Sequence, residues 1–276
     1  VYAGEALDPA VARAFNGLDD AGVEPEMWSR VHQRFLHKKG DRLDLMCYRD
    51  IALATTMGKL KERVMLRRLR VLTRVDDLQG LENEGIDMRH QNALLIDTLI
   101  HRDLQGLRTW LAAIDIRRAF PSLTRGIVMI QLVRRGVRGR LLRAVWRRIR
   151  DVRYVPQVRA GVDVAEVHAG IGLPMGLVLS PRLFALVIDT LAGELRLLVD
   201  ADRACAAVHI NGIYVGSLLF MDDVMALSGT RDGILRMIKA VYGWCYRYRL
   251  ESHADKLQVM ATRPDDEDID EDARAP

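Results

Sequence analysis

Cysteine is scarce in this chain: Cys47, Cys205 and Cys245 are its only three, and they stand far apart among 276 residues. Isolated thiols of this kind offer neither a zinc-ligand set nor a disulfide framework, which points to a reducing compartment. Long apolar runs are missing as well. The longest, Leu183 to Val199, is interrupted by Asp189, Glu194 and Arg196. No segment therefore supplies the ~20 consecutive apolar residues that cross a bilayer. The start carries no signal-peptide pattern, so neither membrane insertion nor secretion is expected. The expected location is intracellular, nuclear or cytoplasmic. No internal repeat is present. The first residue is Val1 rather than Met, as expected of a domain or fragment taken from a longer protein.

What is present is enough to fold. Apolar residues make up 49% and charged residues 28%, a balance that excludes wholesale disorder and can bury a sizeable core. The length suits one large domain or two subdomains. The net charge of +4 hides an uneven distribution, because residues 265–276 hold seven acids against Arg274 alone. Without that segment 40 basic and 30 acidic side chains remain, a net of +10. The excess peaks between Arg134 and Arg153, where nine arginines fall in twenty residues. A body this basic attracts phosphate backbones by counterion release. A solvated arginine-rich helix face explains the same composition.

Periodicity divides the chain into helices and short strands. Residues 8–37 read as helical, with Trp28, Val31 and Phe35 at 3- and 4-residue spacing, until Lys38-Lys39-Gly40-Asp41 breaks the pattern. Ile51 to Val71 reads as a second helix carrying Met57, Leu60, Val64, Leu66 and Leu69. Asn92 to Leu107 reads as a third, with Leu94, Leu95, Leu99 and Ile100 inward. Thr109 to Ile116 is a short apolar run ending at Asp115, the pattern of a buried strand. Ser122 or Thr124 is placed to cap the next helix. Residues 139–150 set Leu142, Val145, Trp146 and Ile149 against Arg143, Arg147 and Arg150, an amphipathic helix. Val152–Val158 and Val162–His168 look like two strands around Gly161, and a glycine- and proline-rich loop, 170–181, leads into a helix at Leu183–Leu198. Asn211-Gly212 between apolar runs is a two-residue hairpin signal. Val224–Leu227 reads as a strand and Asp232 to Tyr248 as the last helix. Antiparallel hairpins interspersed with helices make an α+β chain rather than a βαβ series.

Asp115 and the Asp222-Asp223 pair each sit where an apolar strand run stops. Carboxylates pressed against buried strands need partners or a metal ion, because unpaired burial costs several kcal/mol. Side chains alternate along a strand, so Asp222 and Asp223 can face one way only if a tight turn presents them. Three carboxylates at one sheet edge suit two Mg²⁺ ions about 3.5–4 Å apart. An acidic pair without a metal role remains the alternative at this point.

These segments resemble the reverse transcriptase family, most of all enzymes of non-LTR retrotransposons. Leu111 to Leu123, in which Asp115 is followed five residues later by Phe120, resembles the first palm motif. Gly172 to Phe184 is similar to the segment that runs Pro-Gln-Gly to Leu-Ser-Pro. Phe220-Met221-Asp222-Asp223 matches the aromatic-x-Asp-Asp turn. Lys38-Lys39-Gly40-Asp41 and Tyr48-Arg49-Asp50-Ile51 resemble the fingers motifs, and Lys256 stands near the place of the palm lysine. The motifs keep the family's order from about residue 22 to residue 262.

The resemblance implies the fingers and palm of a right-hand polymerase, with an antiparallel palm sheet packed with helices, and the thumb that the family places after the palm is expected to be absent here. Residues 1–108 would be the helical fingers-like region, 109–262 the palm with an inserted helix and hairpin at 134–170, and 263–276 an acidic tail or linker. It implies RNA-directed DNA synthesis on an RNA template and a DNA primer from dNTPs, with two Mg²⁺ ions, or Mn²⁺ in their place. Asp115 and Asp222 would hold both ions, Asp223 would assist, and the Ile116 carbonyl would add a ligand. Phe120 would lie under the incoming sugar and exclude a 2′-hydroxyl, or simply pack in the core. Lys39 and Arg49 would approach the triphosphate. Met175 and Gly176 would lie against the nucleotide, and Lys256 would act as an acid near the leaving group. The Arg143, Arg147 and Arg150 face would meet a phosphate backbone.

Several positions depart from the family pattern. Met175 replaces Gln and loses an amide, and Asp50 replaces Pro. Glu82 and Glu84 fall where an arginine-bearing stretch is usual, Leu257 replaces Thr, and His253 replaces Asn. The chain ends before the primer-gripping hairpin. The expectation is impaired or absent polymerisation by these residues alone. Two further readings stay open: a non-catalytic nucleic-acid-binding module that keeps the fold, and an RNA-dependent RNA polymerase, against which Phe120 speaks.

Overall fold

The computed structural model describes residues 7–76, 78–80, 87–159, 162–163, 165–201 and 205–263. Gly161, Glu82, Glu84 and the acidic segment 265–272 lie outside the described residues. The chain divides into two compact units. The first joins residues 1–74 to 120–186, and the second joins 75–119 to 187–276. This division is discontinuous, whereas the expected boundaries fell at 108/109 and 262/263. The reason is local: residues 75–119 supply the central strand of the second unit's sheet, and the chain then returns to the first.

In the first unit, α1 (Leu7–Ala21) and α2 (Glu26–Ser29) lead into β1 (Arg30–His37) and β2 (Tyr48–Leu53). Then come α3 (Thr56–Leu72), α5 (Ala119–Ser122), α6 (Arg125–Arg134), α7 (Gly139–Arg150), β4 (Arg153–Arg159) and β5 (Val162–Asp163). The sheet order is β2-β1-β4-β5, with β1 antiparallel to β2 and parallel to β4. Val31, Ala52, Val152, Tyr154 and Leu177 form its core cluster. A helix through residue 37 is therefore not what forms. The spacing of Trp28, Val31 and Phe35 straddles a junction: Trp28 lies in α2, Val31 is fully buried in β1, and Phe35 is exposed. Pairing on both sides satisfies the β1 backbone, and tertiary context overrides the local pattern.

The inward face of α3 also differs from the apolar stripe that was expected. Gly58, Lys61, Glu62, Met65 and Leu69 are buried, whereas Met57, Leu60 and Val64 are exposed. Two charged residues can face inward because each has a partner. Lys61 pairs with Asp19 at 2.9 Å, and Arg148 donates to Glu62 at 2.6 Å. α7 has the bounds read from the sequence, and it buries Ala144, Val145, Arg148 and Ile149.

In the second unit, α4 (Met88–Leu104) precedes β3 (Trp110–Arg117), and α8 (Ser180–Ala201) enters from the first unit's chain segment. β6 (His209–Ile210) and β7 (Ile213–Tyr214) form a hairpin. At its turn Asn211 and Gly212 both have positive φ, as a type I′ turn requires. β8 (Ser217–Phe220), β9 (Asp223–Ser228), α9 (Arg231–Arg247), β10 (Glu251–Ser252) and β11 (Gln258–Ala261) complete the unit. The main sheet runs β10-β3-β9-β8, with β11 also on β3, and every pairing in it is antiparallel. Ala112, Ile114 and Ile116 are closed to solvent, and α9 packs on β3 and β9. Leu94, Leu95 and Leu99 of α4 pack on a cluster that includes Leu218 and Leu227. Helices combined with antiparallel sheets give an α+β fold. Among the described residues no helix is long and apolar enough to cross a membrane.

Candidate functional site

Paired residues of an antiparallel sheet share a face, so the register lays out the site in rows. Asp115, Asp223 and Phe220 form one row, and Gln258, Ala113, Met225 and Leu218 the next. Met260, Leu111 and Leu227 form the third. Leu111 and Leu227 are buried, Ala113 and Met225 half-buried, and Asp223 exposed. The face thus opens progressively toward the carboxylates. A cavity of about 550 Å³ lies over it, lined also by Met88, Gln91 and Leu95 of α4.

The turn between β8 and β9 has two residues, Met221 and Asp222, and Met221 has φ +56°. A long side chain rarely adopts that conformation, so the turn carries backbone strain of about 1–3 kcal/mol. The tightness serves the geometry. Asp223 falls opposite Asp115, and the Asp222 carbonyl accepts a hydrogen bond from the Ile116 amide at 3.1 Å. The Asp222-Asp223 turn is thereby tied directly to β3. Ile116 itself is fully buried, and an isoleucine has only its backbone carbonyl to offer as a ligand.

A second support comes from α4. The buried Gln91 side-chain amide donates to the carbonyls of Leu78 at 2.5 Å and Leu219 at 2.9 Å. It clamps residues 78–80 against β8, where Gln79 and Leu219 form a parallel bridge. No periodicity in the sequence marks Gln91.

The electrostatics are those of crowded acids. The Asp223 carboxyl is pushed above the usual range, first by its partial burial and then by the charges of Asp222 and Asp115, with Lys256 opposing. Lys256 follows from a single-turn 3-10 helix, Ala254–Lys256, and its ammonium donates to Asp115 Oδ2. The His253 amide donates to the Asp115 carbonyl at 2.9 Å. Hard carboxylate oxygens that repel one another fit a divalent cation chemically. In the arrangement described, however, Asp115 bonds the lysine. Among the described residues no group of three or more His, Cys, Asp or Glu side chains is set to hold a metal ion.

The remaining candidates lie in the first unit. Lys39 in the β1–β2 connection and Arg49 on β2 are exposed. Phe120 is buried and stacks on Phe184, with ring centroids 4.7 Å apart. The Met175 carbonyl accepts from the Ala52 amide at 2.6 Å. Gly176 has φ +106°, and a Cβ there would meet the Ala52 oxygen at 2.6 Å. Its backbone thus packs closely on β2. Arg143 is exposed. Arg147 is a correction to the expected basic face: it is 12% exposed and lies 3.4 Å from Asp19 of α1. Arg150 is exposed but engages Asp151 through two nitrogens, at 2.6 and 2.9 Å. Arg148 is absent from the basic face expected from the sequence, and its position four residues after Ala144 and three after Val145 places it on the apolar side of α7.

Comparison with known proteins identifies the family. The family model described as "Reverse transcriptase (RNA-dependent DNA polymerase)" matches residues 36–268. A retrovirus-related Pol polyprotein from the type-1 retrotransposable element R2 of Popillia japonica is 25% identical over 176 residues, 63% of this chain and 25% of that protein. The R2 polyprotein of Nasonia vitripennis is 21% identical over 267 residues, 94% of this chain and 24% of that protein. The chain thus spans about a quarter of the length of these relatives. Among solved structures, telomerase from Candida albicans with a TWJ fragment of telomeric RNA has TM-score 0.62 at 9% identity, over 92% of this chain and 46% of that one. The Candida tropicalis counterpart has TM-score 0.59 at 12% identity, over 86% of this chain and 41% of that one. At such identities the likeness is one of fold.

Proposed function

The chain belongs to the reverse transcriptase (RNA-dependent DNA polymerase) family, of the non-LTR type, and we propose that it extends a DNA primer on an RNA template by two-metal nucleotidyl transfer. The observation that carries this reading is the register of Asp115 against Asp223, with Asp222 in the turn beside them. The second unit, with this sheet, is the palm. The first unit, with the basic β1–β2 connection, contains the fingers.

Asp115 and Asp222 would hold the Mg²⁺ or Mn²⁺ ions, with Asp223 and the Ile116 carbonyl completing the oxygen set. Bound there, such ions supply charge neutralisation for the attacking 3′-hydroxyl and the departing pyrophosphate. The protein's own part is positioning. The strained Met221 turn and the Ile116–Asp222 hydrogen bond hold the carboxylates against β3. Lys256, once off Asp115, is a proton donor on the same face. Lys39 and Arg49 would contact the triphosphate, and Phe120, packed on Phe184, would present a firm surface to the sugar.

A catalytically degenerate nucleic-acid-binding module is the second reading, favoured by the bond between Lys256 and Asp115. RNA-templated incorporation of dNTPs, compared between the wild-type chain and Asp222→Asn, tests the two. Incorporation that depends on Asp222 supports the polymerase. RNA binding with no incorporation supports the module.

A further inference from the structure

We propose that Lys256 is the built-in counter-cation of the carboxylate site, and that a divalent ion must displace its ammonium from Asp115 in order to bind. The inference rests on the reading of Asp115, Asp222 and Asp223 as metal ligands, and it adds how entry to that site is controlled. Asp115 is three-quarters closed to solvent, and one of its two carboxylate oxygens is engaged by Lys256. The lysine reaches it from a short helical turn anchored on the same strand, because the His253 amide bonds the Asp115 carbonyl and the Lys256 amide bonds the His253 carbonyl at 3.1 Å. The ammonium therefore arrives by a fixed path.

The surroundings give the contact its meaning. Asp222 and Asp223 add negative charge beside Asp115, and Asp255 lines the same cavity. Arg117, two residues along β3, is committed to Glu251 at 3.4 Å. Lys256 thus neutralises the acidic row at Asp115, the position that a divalent ion would take. Its side chain is 58% exposed, so it can swing into solvent at little cost. An ion pair exposed on its lysine side is weak enough to yield to a divalent ion, yet strong enough to lower that ion's apparent affinity.

Mn²⁺ binding to the full chain, followed by electron paramagnetic resonance, tests this without any catalytic readout. Lys256→Ala is expected to bind Mn²⁺ roughly two- to fivefold more tightly than the wild type. Arg117→Gln removes a nearby positive charge that does not touch Asp115, and it is expected to change the affinity much less. Acetylation of Lys256 by an amine-reactive reagent, read by mass spectrometry, is expected to rise as Mn²⁺ is added. Unchanged or weaker binding by Lys256→Ala overturns the proposal, and so does an equal gain in Arg117→Gln. If wild-type binding is insensitive to Asp222→Asn, the metal-site reading itself fails and the proposal falls with it.

Discussion

Arg148 and Glu62 form an ion pair 2.6 Å long, with side chains 1% and 0% exposed. Arg148 also donates to the Trp28 carbonyl, while Glu62 accepts from the amides of Val178 and Leu179. One pair therefore ties α2, α3 and α7 to the loop that carries Met175 and Gly176. Arg148→Met strands a buried carboxylate and is expected to cost about 3–5 kcal/mol in denaturant unfolding. Adding Glu62→Gln to it is expected to recover part of that loss.

The loop makes a second demand at Gly176. Alanine there would need φ +106° and would push its Cβ to 2.6 Å from the Ala52 oxygen. Gly176→Ala is expected to lower stability by about 1–3 kcal/mol. Gly136 also has positive φ but meets nothing within 4 Å, so Gly136→Ala should cost less in the same unfolding experiment.

Glu24 gives a pH dependence. Burial pushes its carboxyl above the ordinary 4.5, against the pull of Arg148, Lys61 and Arg147, and its Oε1 is buried without a hydrogen-bond partner among the described residues. A raised carboxyl favours the folded state most below about pH 4.5, and that contribution is lost as pH rises through the folded value. Glu24→Gln should therefore gain melting temperature over the wild type as pH goes from 4 to 7. A constant difference across that range would contradict this assignment.

Legibility in the sequence followed how local each signal was. β3 and the β8–β9 turn could be read because short apolar runs stop at carboxylates, and the β6–β7 hairpin because Asn211-Gly212 suits its turn. α7 could be read because its twelve residues alternate apolar and basic faces at helical spacing. β1 could not, since only Val31 in it is fully buried and one of its two partners, β4, lies far along the chain. The inward face of α3 was hidden for a related reason. Lys61 and Glu62 look solvent-facing until Asp19 and Arg148 arrive from other helices. The three aspartates were legible, but the Lys256 contact with Asp115 was not, because 141 residues separate the two.

α7 now makes an unequal prediction for its arginines. Neutralising the exposed Arg143 should lower the slope of log affinity for RNA against log salt by about 0.7–0.9. Neutralising Arg147, held by Asp19, should leave the slope nearly unchanged and lower stability instead. Equal slope changes for both would contradict the placement of Arg147.

The central claim, a nucleotidyl-transfer site built on Asp115, Asp222 and Asp223, is tested most directly by single-nucleotide extension. A DNA primer on an RNA template is incubated with one dNTP and Mg²⁺ or Mn²⁺, with the wild-type chain and with Asp222→Asn. Slow, template-directed addition is expected from the wild type and none from Asp222→Asn, both proteins binding RNA alike. Addition by the wild type no greater than that by Asp222→Asn, with either ion, would contradict the claim.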